Sequence, residues 1–221
     1  MKKLVLLAAL ILIAGFCFAQ DDAAAEDKPE RLDLEVTIGF PIHWTNSPTP
    51  HVGSNVDKTV TADTSIGLSL IFNFSKKFGF TVDTDFFFGG QLMGISSTDS
   101  GYNSLFGANL LLGPVIYLYN GSFLRIPLAL GVHMYYWSSD FWLPMGGAAG
   151  AWYKTRDLQF GPGAYLGIQF HFNDSLYIFS RTNVAIDVAR WHQEKGVNSD
   201  SEFEIAFSWI VKPAIGIGVK F

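Results

Sequence analysis

The amino-acid sequence predicts an all-β protein, an eight-stranded antiparallel up-and-down transmembrane β-barrel. Three observations support this fold class. Apolar residues alternate with small or polar ones along eight long segments, short and long interruptions alternate between these segments, and aromatic residues gather near the segment ends. This combination is typical of strands that cross a bilayer at a tilt and are joined alternately by tight turns and long loops.

The beginning of the chain has the pattern of an export signal. Lys2 and Lys3 precede an apolar run at 4–15, which is followed by a cleavage site with small residues at positions 17 and 19. A membrane helix needs roughly 20 apolar residues, so we interpret 1–19 as a signal peptide for the Sec pathway. A retained anchor and lipid attachment at Cys17 are the weaker alternatives.

Cleavage of this signal sets the chemistry of the mature chain. It removes Cys17, the one cysteine among 221 residues, which excludes disulfides, thiol nucleophiles and thiolate metal ligands. It also removes two lysines, so the formal net charge becomes more negative than the −5 of the full sequence. Without a basic run, no nucleic-acid partner is expected. Acidic, alanine-rich residues 20–30 are interpreted as a periplasmic tether and 31–221 as one barrel domain.

The first and last strands show the alternation most clearly. From 205 to 221 every odd position is apolar, whereas from 32 to 42 the apolar residues take the even positions. Because successive side chains of a strand point to opposite faces, each of these strands has one apolar face. The same period continues in the six segments between them, near 66–74, 80–88, 104–119, 122–136, 160–172 and 175–189.

The connections alternate in length and composition. Residues suited to tight turns occupy the short ones, at 75–77, 120–121 and 173–174. The long ones are rich in Gly, Ser, Thr, Asn and Pro, and they lie at 44–62, 91–103, 137–156 and 190–202. In outer-membrane barrels the short turns face the periplasm and the long loops face the outside.

A soluble lipocalin-like carrier of the periplasm would also alternate apolar and polar residues, so the inward face has to be decided. The polar face holds many glycines and few charges, and charged residues make up only 16% of the chain. That composition suits a narrow lumen better than a solvated surface. The aromatic residues near both sets of connections suit two interfacial girdles. We therefore predict that the polar face lines the lumen and that the apolar face meets lipid.

The end of the chain carries a resemblance. Ile217, Val219 and the terminal Phe221 resemble the signal by which the outer-membrane assembly machinery recognises small barrel proteins. In strand count and loop order the mature chain is similar to the eight-stranded outer-membrane proteins of the OmpW, OmpX and OmpA-barrel types. The resemblance implies a bacterial outer-membrane location, with outer-membrane lipid and the assembly machinery as partners. The OmpW type further implies capture of small hydrophobic molecules near the barrel mouth.

The parity of the strands turns a set of charged residues inward. Opposite charges in this set are expected to pair, because an unpaired buried charge is costly. The pairs either close the lumen as a polar core or gate a narrow path for ions or small solutes. The predicted lumen charge network consists of Glu35, Asp83, Asp85, Arg125, Arg181, Asp187, Glu204 and Lys212.

Catalysis and metal binding are not expected. Outer-membrane barrels that modify lipids pair a histidine with a serine and an acidic residue, and the candidates here would be His133, His171 and Ser180. Strand parity places Ser180 on the opposite face from His171, so a lipid-modifying enzyme is kept only as an alternative. The five histidines lack the spacing of a metal site, and no cofactor is predicted.

The segment 137–153 is unusually aromatic for an exposed loop. We interpret it as a candidate surface-binding loop, for a small hydrophobic ligand or a host surface molecule, built on Trp137, Phe141, Trp142 and Trp152. The alternative is that the segment extends the strands or contributes to an aromatic girdle. The sequence as a whole therefore predicts a non-enzymatic integral membrane protein with a structural, surface-interaction or narrow small-solute transport role.

Overall fold

The structure is a computed structural model that describes residues 31–45, 59–62, 64–89, 102–144, 150–195, 201–205 and 207–221. The predicted signal peptide and tether therefore lie outside the described residues. The strand segments are β1 (Arg31–Gly39), β2 (Ile42–Thr45), β3 (Thr59–Ala62), β4 (Ser65–Asn73), β5 (Phe78–Gly89), β6 (Tyr102–Asn120), β7 (Leu124–Pro144), β8 (Gly150–His171), β9 (Leu176–Asp187), β10 (Ala189–Lys195), β11 (Ser201–Glu204) and β12 (Ser208–Lys220).

These segments build one closed antiparallel barrel of eight strands, which confirms the predicted fold class. Four of the strands consist of two segments separated by a short break: β1 with β2, β3 with β4, β9 with β10, and β11 with β12. The ring closes where β12 pairs with β1, from Asp33 opposite Lys220 to Gly39 opposite Ala214. The break between β1 and β2 contains Pro41, which has no N–H group to give to a ladder.

Three short turns join strands at one end of the barrel, at 74–77, 121–123 and 172–175, close to the predicted positions. Side-chain oxygens stabilise two of them. Ser75 Oγ accepts hydrogen bonds from the backbone N–H groups of Lys77 and Phe78, and Asn173 Oδ1 accepts from those of Ser175 and Leu176. We call this end, where β1 begins and β12 ends, the turn end, and the opposite end the distal end.

The distal strands extend farther than the sequence predicted. Much of the predicted connection 137–156 is strand, because β7 and β8 remain paired from Trp137 opposite Asp157 to Pro144 opposite Gly150. β10 likewise runs into the predicted connection 190–202 and pairs with both β8 and β11. The loop-like composition misled the prediction, since cross-strand pairing stabilises such segments whatever their turn propensity.

The outer face of the wall is apolar and exposed. Ile66 and Ile215 are each 61% exposed and Leu166 is 52% exposed, whereas inward charged residues such as Asp33 and Glu35 are buried. This arrangement inverts the polarity of a soluble barrel and suits a surrounding of lipid chains, because a closed sheet pairs its backbone groups between neighbouring strands. No helix among the described residues is long and apolar enough to cross a bilayer.

Candidate functional site

The middle of the lumen holds five charged side chains that contact one another. Arg181 Nη1 donates to Glu35 Oε2 at 2.8 Å, and its Nη2 donates to Asp83. The Lys212 ammonium donates to Asp85 and lies 3.7 Å from Asp83 Oδ2. All five side chains are at most 2% exposed. We call Glu35, Asp83, Asp85, Arg181 and Lys212 the central network.

Neutral side chains complete the hydrogen bonding of the carboxylates in this network. Glu35 Oε1 accepts from the Tyr177 hydroxyl at 2.9 Å and from Gln169 Nε2 at 3.0 Å. Asn183 Nδ2 donates to Asp83 Oδ2 at 2.8 Å. Charge-assisted bonds of this kind are about twice as strong as neutral ones. Because they originate on strands from opposite parts of the wall, they tie the barrel together across its lumen.

Inward glycines make room for the large rings that surround the network. A Cβ added to Gly218 would lie 2.1 Å from Tyr177 Cζ, and one added to Gly107 would lie 1.7 Å from Phe87 Cζ. The rings therefore occupy the space that a larger side chain on the facing strand would need. Such contacts explain the glycines that face a ring, whereas a Cβ added to Gly113 or Gly131 would meet the backbone of the neighbouring strand.

The half of the lumen toward the turn end is filled. Below the central network the inward apolar side chains form one buried cluster, and the guanidinium carbon of Arg181 lies 5.1 Å from the centre of the Tyr165 ring. Tyr177, which bonds Glu35, has no exposed surface. We call this part the turn half, and its cluster consists of Ile71, Leu111, Val115, Tyr117, Ala129 and Tyr165.

The other half, which we call the distal half, contains a cavity of about 20 Å³. That volume is enough for roughly one water molecule. Beside it, His133 Nδ1 and Asp187 Oδ1 share a hydrogen bond of 2.9 Å. The polar residues lining the cavity are Asp83, Asp85, Asn109, His133, Asn183 and Lys212.

The remaining predicted lumen residues lie apart from the central network. Asp187 pairs with His133. Arg125 lies near the turn end, where its guanidinium carbon is 5.8 Å from the centre of the Tyr117 ring. Arg125 and Asp187 both face the lumen. Arg125 lies near the turn end and Asp187 near the distal end, so they are too far apart along the barrel axis to join one group. The structure does not describe the side chain of Glu204.

A second buried charge cluster, which the sequence did not predict, lies on the distal extensions of β8 and β10. Arg190 Nε donates to Asp157 Oδ1, and His192 Nδ1 lies 3.1 Å from Asp157 Oδ2. We call these three residues the distal cluster. Burial alone would raise the pKa of Asp157, but the hydrogen bonds from His192 and Arg190 outweigh it and hold that pKa below its usual value. The sequence did not indicate this cluster because its residues fall within or beside the predicted connections.

The aromatic residues predicted for a surface loop lie on strands instead. Trp137 packs against the buried distal residues Phe87, Tyr135, Ala185 and Ile210. Phe141 and Trp142 belong to β7 and Trp152 to β8, with Trp142 opposite Trp152 in the ladder. The structure does not describe the side chains of Phe141, Trp142 and Trp152. The described parts of this segment, 137–144 and 150–153, are therefore strand extensions, as the alternative interpretation has it.

The catalytic candidates are separated by the barrel wall. Ser180 faces outward and is exposed, whereas His133 and His171 are buried in the lumen. Within the described residues, no group of three or more His, Cys, Asp or Glu side chains is arranged to hold a metal ion. In the proposed assembly signal, Ile217 and Val219 lie on the outer face of β12 and Phe221 directly follows that strand. Ile217 and Phe221 are exposed, and Val219 is partly buried.

No protein-family model and no curated protein matches the chain. Several solved structures do. The outer membrane protein OprG from Pseudomonas aeruginosa is 15% identical over 88% of this chain and 97% of its own, with a TM-score of 0.60. A major outer membrane protein from Thermus thermophilus is 10% identical over 85% and 99% of the two chains, with a TM-score of 0.52.

The solid-state NMR structure of outer membrane protein AlkL in lipid bilayers is 11% identical over 89% of this chain and 92% of its own, with a TM-score of 0.50. At such low identity these likenesses concern the fold. The architecture is that of the small eight-stranded outer-membrane β-barrels, as the resemblance in the sequence implied.

Proposed function

We propose that this chain is an integral protein of the bacterial outer membrane whose lumen is closed at rest and whose role is exercised at its distal surface. The observation that carries the proposal is the central network. Five buried charged side chains bridge β1, β5, β9 and β12 across the lumen. The proposed role is structural or surface-binding and involves no catalysis.

The location is supported by the outer face of the barrel. Its exposed apolar side chains form a belt around the wall, and the amino-terminal export pattern and carboxy-terminal aromatic residue accord with secretion and outer-membrane assembly. The neighbours in fold named above are themselves outer-membrane proteins. Outer-membrane lipid and the assembly machinery are accordingly the first partners of this proposal.

Closure of the lumen follows from its width and from its contents. An eight-stranded barrel is just wide enough for its own side chains. A solute crossing this lumen would have to separate Arg181 from Glu35 and Asp83, and breaking one buried ion pair costs about 3–5 kcal/mol. It would then have to pass the packed turn half. Passive diffusion through the barrel is therefore blocked in this conformation.

The lengths of the strands support a role for the distal surface in binding. β6, β7 and β8 contain 19, 21 and 22 residues, whereas roughly 9–11 residues suffice to cross a bilayer. Because the turns at the other end are short, the surplus length extends beyond the membrane at the distal end. This wall offers a folded surface for a host surface molecule or a small hydrophobic ligand.

Planar-bilayer conductance tests closure directly. We expect the wild-type protein to give no steady current and Arg181→Ala to give openings, because it leaves two carboxylates without their guanidinium partner. Ser180→Ala, which alters the neighbouring outward-facing position, is the matched control and should stay silent. A stable, ion-selective unitary current from the wild-type protein would contradict the proposal.

The same recording also tests a second candidate, a narrow solute path gated by the central network. It is favoured by the cavity that borders Asp85 and Lys212. A gate requires measurable wild-type openings whose frequency rises in Lys212→Ala but not in Arg125→Ala, because Arg125 lies outside the network. Silence in the wild type and in Lys212→Ala excludes the gate.

A further inference from the structure

The cavity in the distal half lies in a region with an excess of negative charge. The ion pairs described for the central network and for His133 with Asp187 involve four carboxylates but only two groups that are permanently cationic. Since unbalanced buried charge is costly, a cation bound beside these groups would stabilise them.

Three buried oxygen atoms around this region accept no hydrogen bond from any described residue: Asn109 Oδ1, Asn183 Oδ1 and Asp187 Oδ2. Asn109 is only 6% exposed, and both asparagines line the cavity. The orientation of the Asn183 amide is set by its bond to Asp83. Native structures leave few buried acceptors unsatisfied, so these oxygens point to a bound species.

The size and composition of the cavity restrict what that species can be. A volume of about 20 Å³ admits one water molecule or one ion of similar size. Oxygen atoms of amides and carboxylates are ligands for hard cations. Lys212 lines the cavity, and the positive charge of its ammonium group opposes a divalent ion far more than a monovalent one.

We propose that this cavity binds one small monovalent cation of the size of sodium, held by the amide oxygens of Asn109 and Asn183 and by a neighbouring carboxylate. The ion acts as the counter-ion of the central network. The inference rests on the proposed closed lumen, because an open lumen would leave these oxygens in contact with bulk water. A bound water molecule is the competing occupant, since it can donate to two acceptors but brings no charge.

The test is the thermal stability of the folded, detergent-solubilised full-length protein in two salts of equal ionic strength, sodium chloride and N-methyl-D-glucamine chloride. The organic cation is too large for the cavity. We expect the temperature at which half of the protein loses its folded gel mobility to be about 3 °C higher in sodium. The difference should saturate as the sodium concentration rises.

Variants localise the effect. Asn109→Leu removes one oxygen ligand at nearly constant volume and should abolish the sodium-dependent difference, whereas Ser180→Ala on the outer face should keep it. If Asn109→Leu does not fold, Asn109→Asp serves instead, because it retains the oxygen and adds charge and should enlarge the difference.

Two results would overturn the inference. Equal midpoints in both salts would mean that the cavity holds water only, and a sodium effect that persists in Asn109→Leu or is not enlarged in Asn109→Asp would place the ion elsewhere. Conductance recorded from the same wild-type preparation separates these results from a failure of the proposed function, since an open lumen would carry current whatever the midpoints.

Discussion

The turn half and the distal half of the lumen are built on the same strands but are filled differently. In the turn half, Tyr165 belongs to a buried apolar cluster beneath the central network, and Tyr177 is buried beside Phe179. In the distal half, small residues such as Gly163 and Ala185 leave a cavity, and charges gather in pairs around it. Large inward side chains pack in both halves, so the cavity marks a place where smaller ones face the lumen.

This difference assigns separate tasks to the two halves. The turn half and the central network supply cross-lumen contacts that stabilise the barrel and block diffusion, whereas the distal half combines a small cavity with a separate buried cluster of Phe87, Tyr135, Ala185 and Ile210. Substitutions in the sealed part should therefore cost more stability than substitutions in the distal part.

Arg181→Ala should produce the largest loss. It leaves Glu35 and Asp83 buried without their guanidinium partner, so we expect the free energy of unfolding to fall by about 3–5 kcal/mol. Urea-induced unfolding in lipid vesicles measures the change. Neutralising the group together, with Glu35→Gln and Asp83→Asn added to Arg181→Met, should recover most of the loss. A loss below about 1 kcal/mol in Arg181→Ala would show that the network does not stabilise the sealed part.

Gly218→Val should have the next largest effect. Its Cβ would lie 2.1 Å from Tyr177 Cζ, so the ring must move away from Glu35, and overpacking of this kind costs about 1–3 kcal/mol. The same unfolding assay applies. In a Tyr177→Ala background the added valine should cost clearly less, because the obstructing ring is absent. An equal cost in both backgrounds would mean that the ring is not what excludes a larger residue.

The strand parity of these groups could be predicted from the sequence, because a period of two fixes the face of every residue in a strand. That period assigns Glu35, Asp83 and Asp85 to the inward face, and all three side chains are buried. Tight-turn residues likewise located the three turns. Both features depend on neighbours in the chain.

Pairing across the lumen could not be predicted in the same way. Lys212 bonds Asp85, a residue 127 positions away, and that contact depends on the stagger of all the strands between them. The pairing of Asp187 with His133 in place of a lysine or arginine has the same origin. The distal cluster escaped prediction for another reason, since the polar composition of its segments resembles that of loops.

The smallest of the three effects is expected in the distal cluster, where it depends on pH. The pKa of Asp157 is lower in the folded protein than its usual value of 3.8. The stabilisation from this carboxylate is therefore complete above that value and is lost as the pH falls through the folded pKa. Asp157→Asn should lower the free energy of unfolding at neutral pH by about 1.5 kcal/mol, the contribution of a hydrogen bond to a charged group.

The pH dependence of the free energy of unfolding, compared between the wild type and Asp157→Asn, shows in which half of the lumen acid acts. Between neutral pH and pH 3 the wild-type protein should lose more stability than Asp157→Asn, because the amide has no proton to gain and keeps its weaker bonds throughout. Ser180→Ala should follow the wild-type curve. Parallel curves for the wild type and Asp157→Asn would mean that acid acts on the central network instead, and that the sealed part of the barrel is the pH-sensitive one.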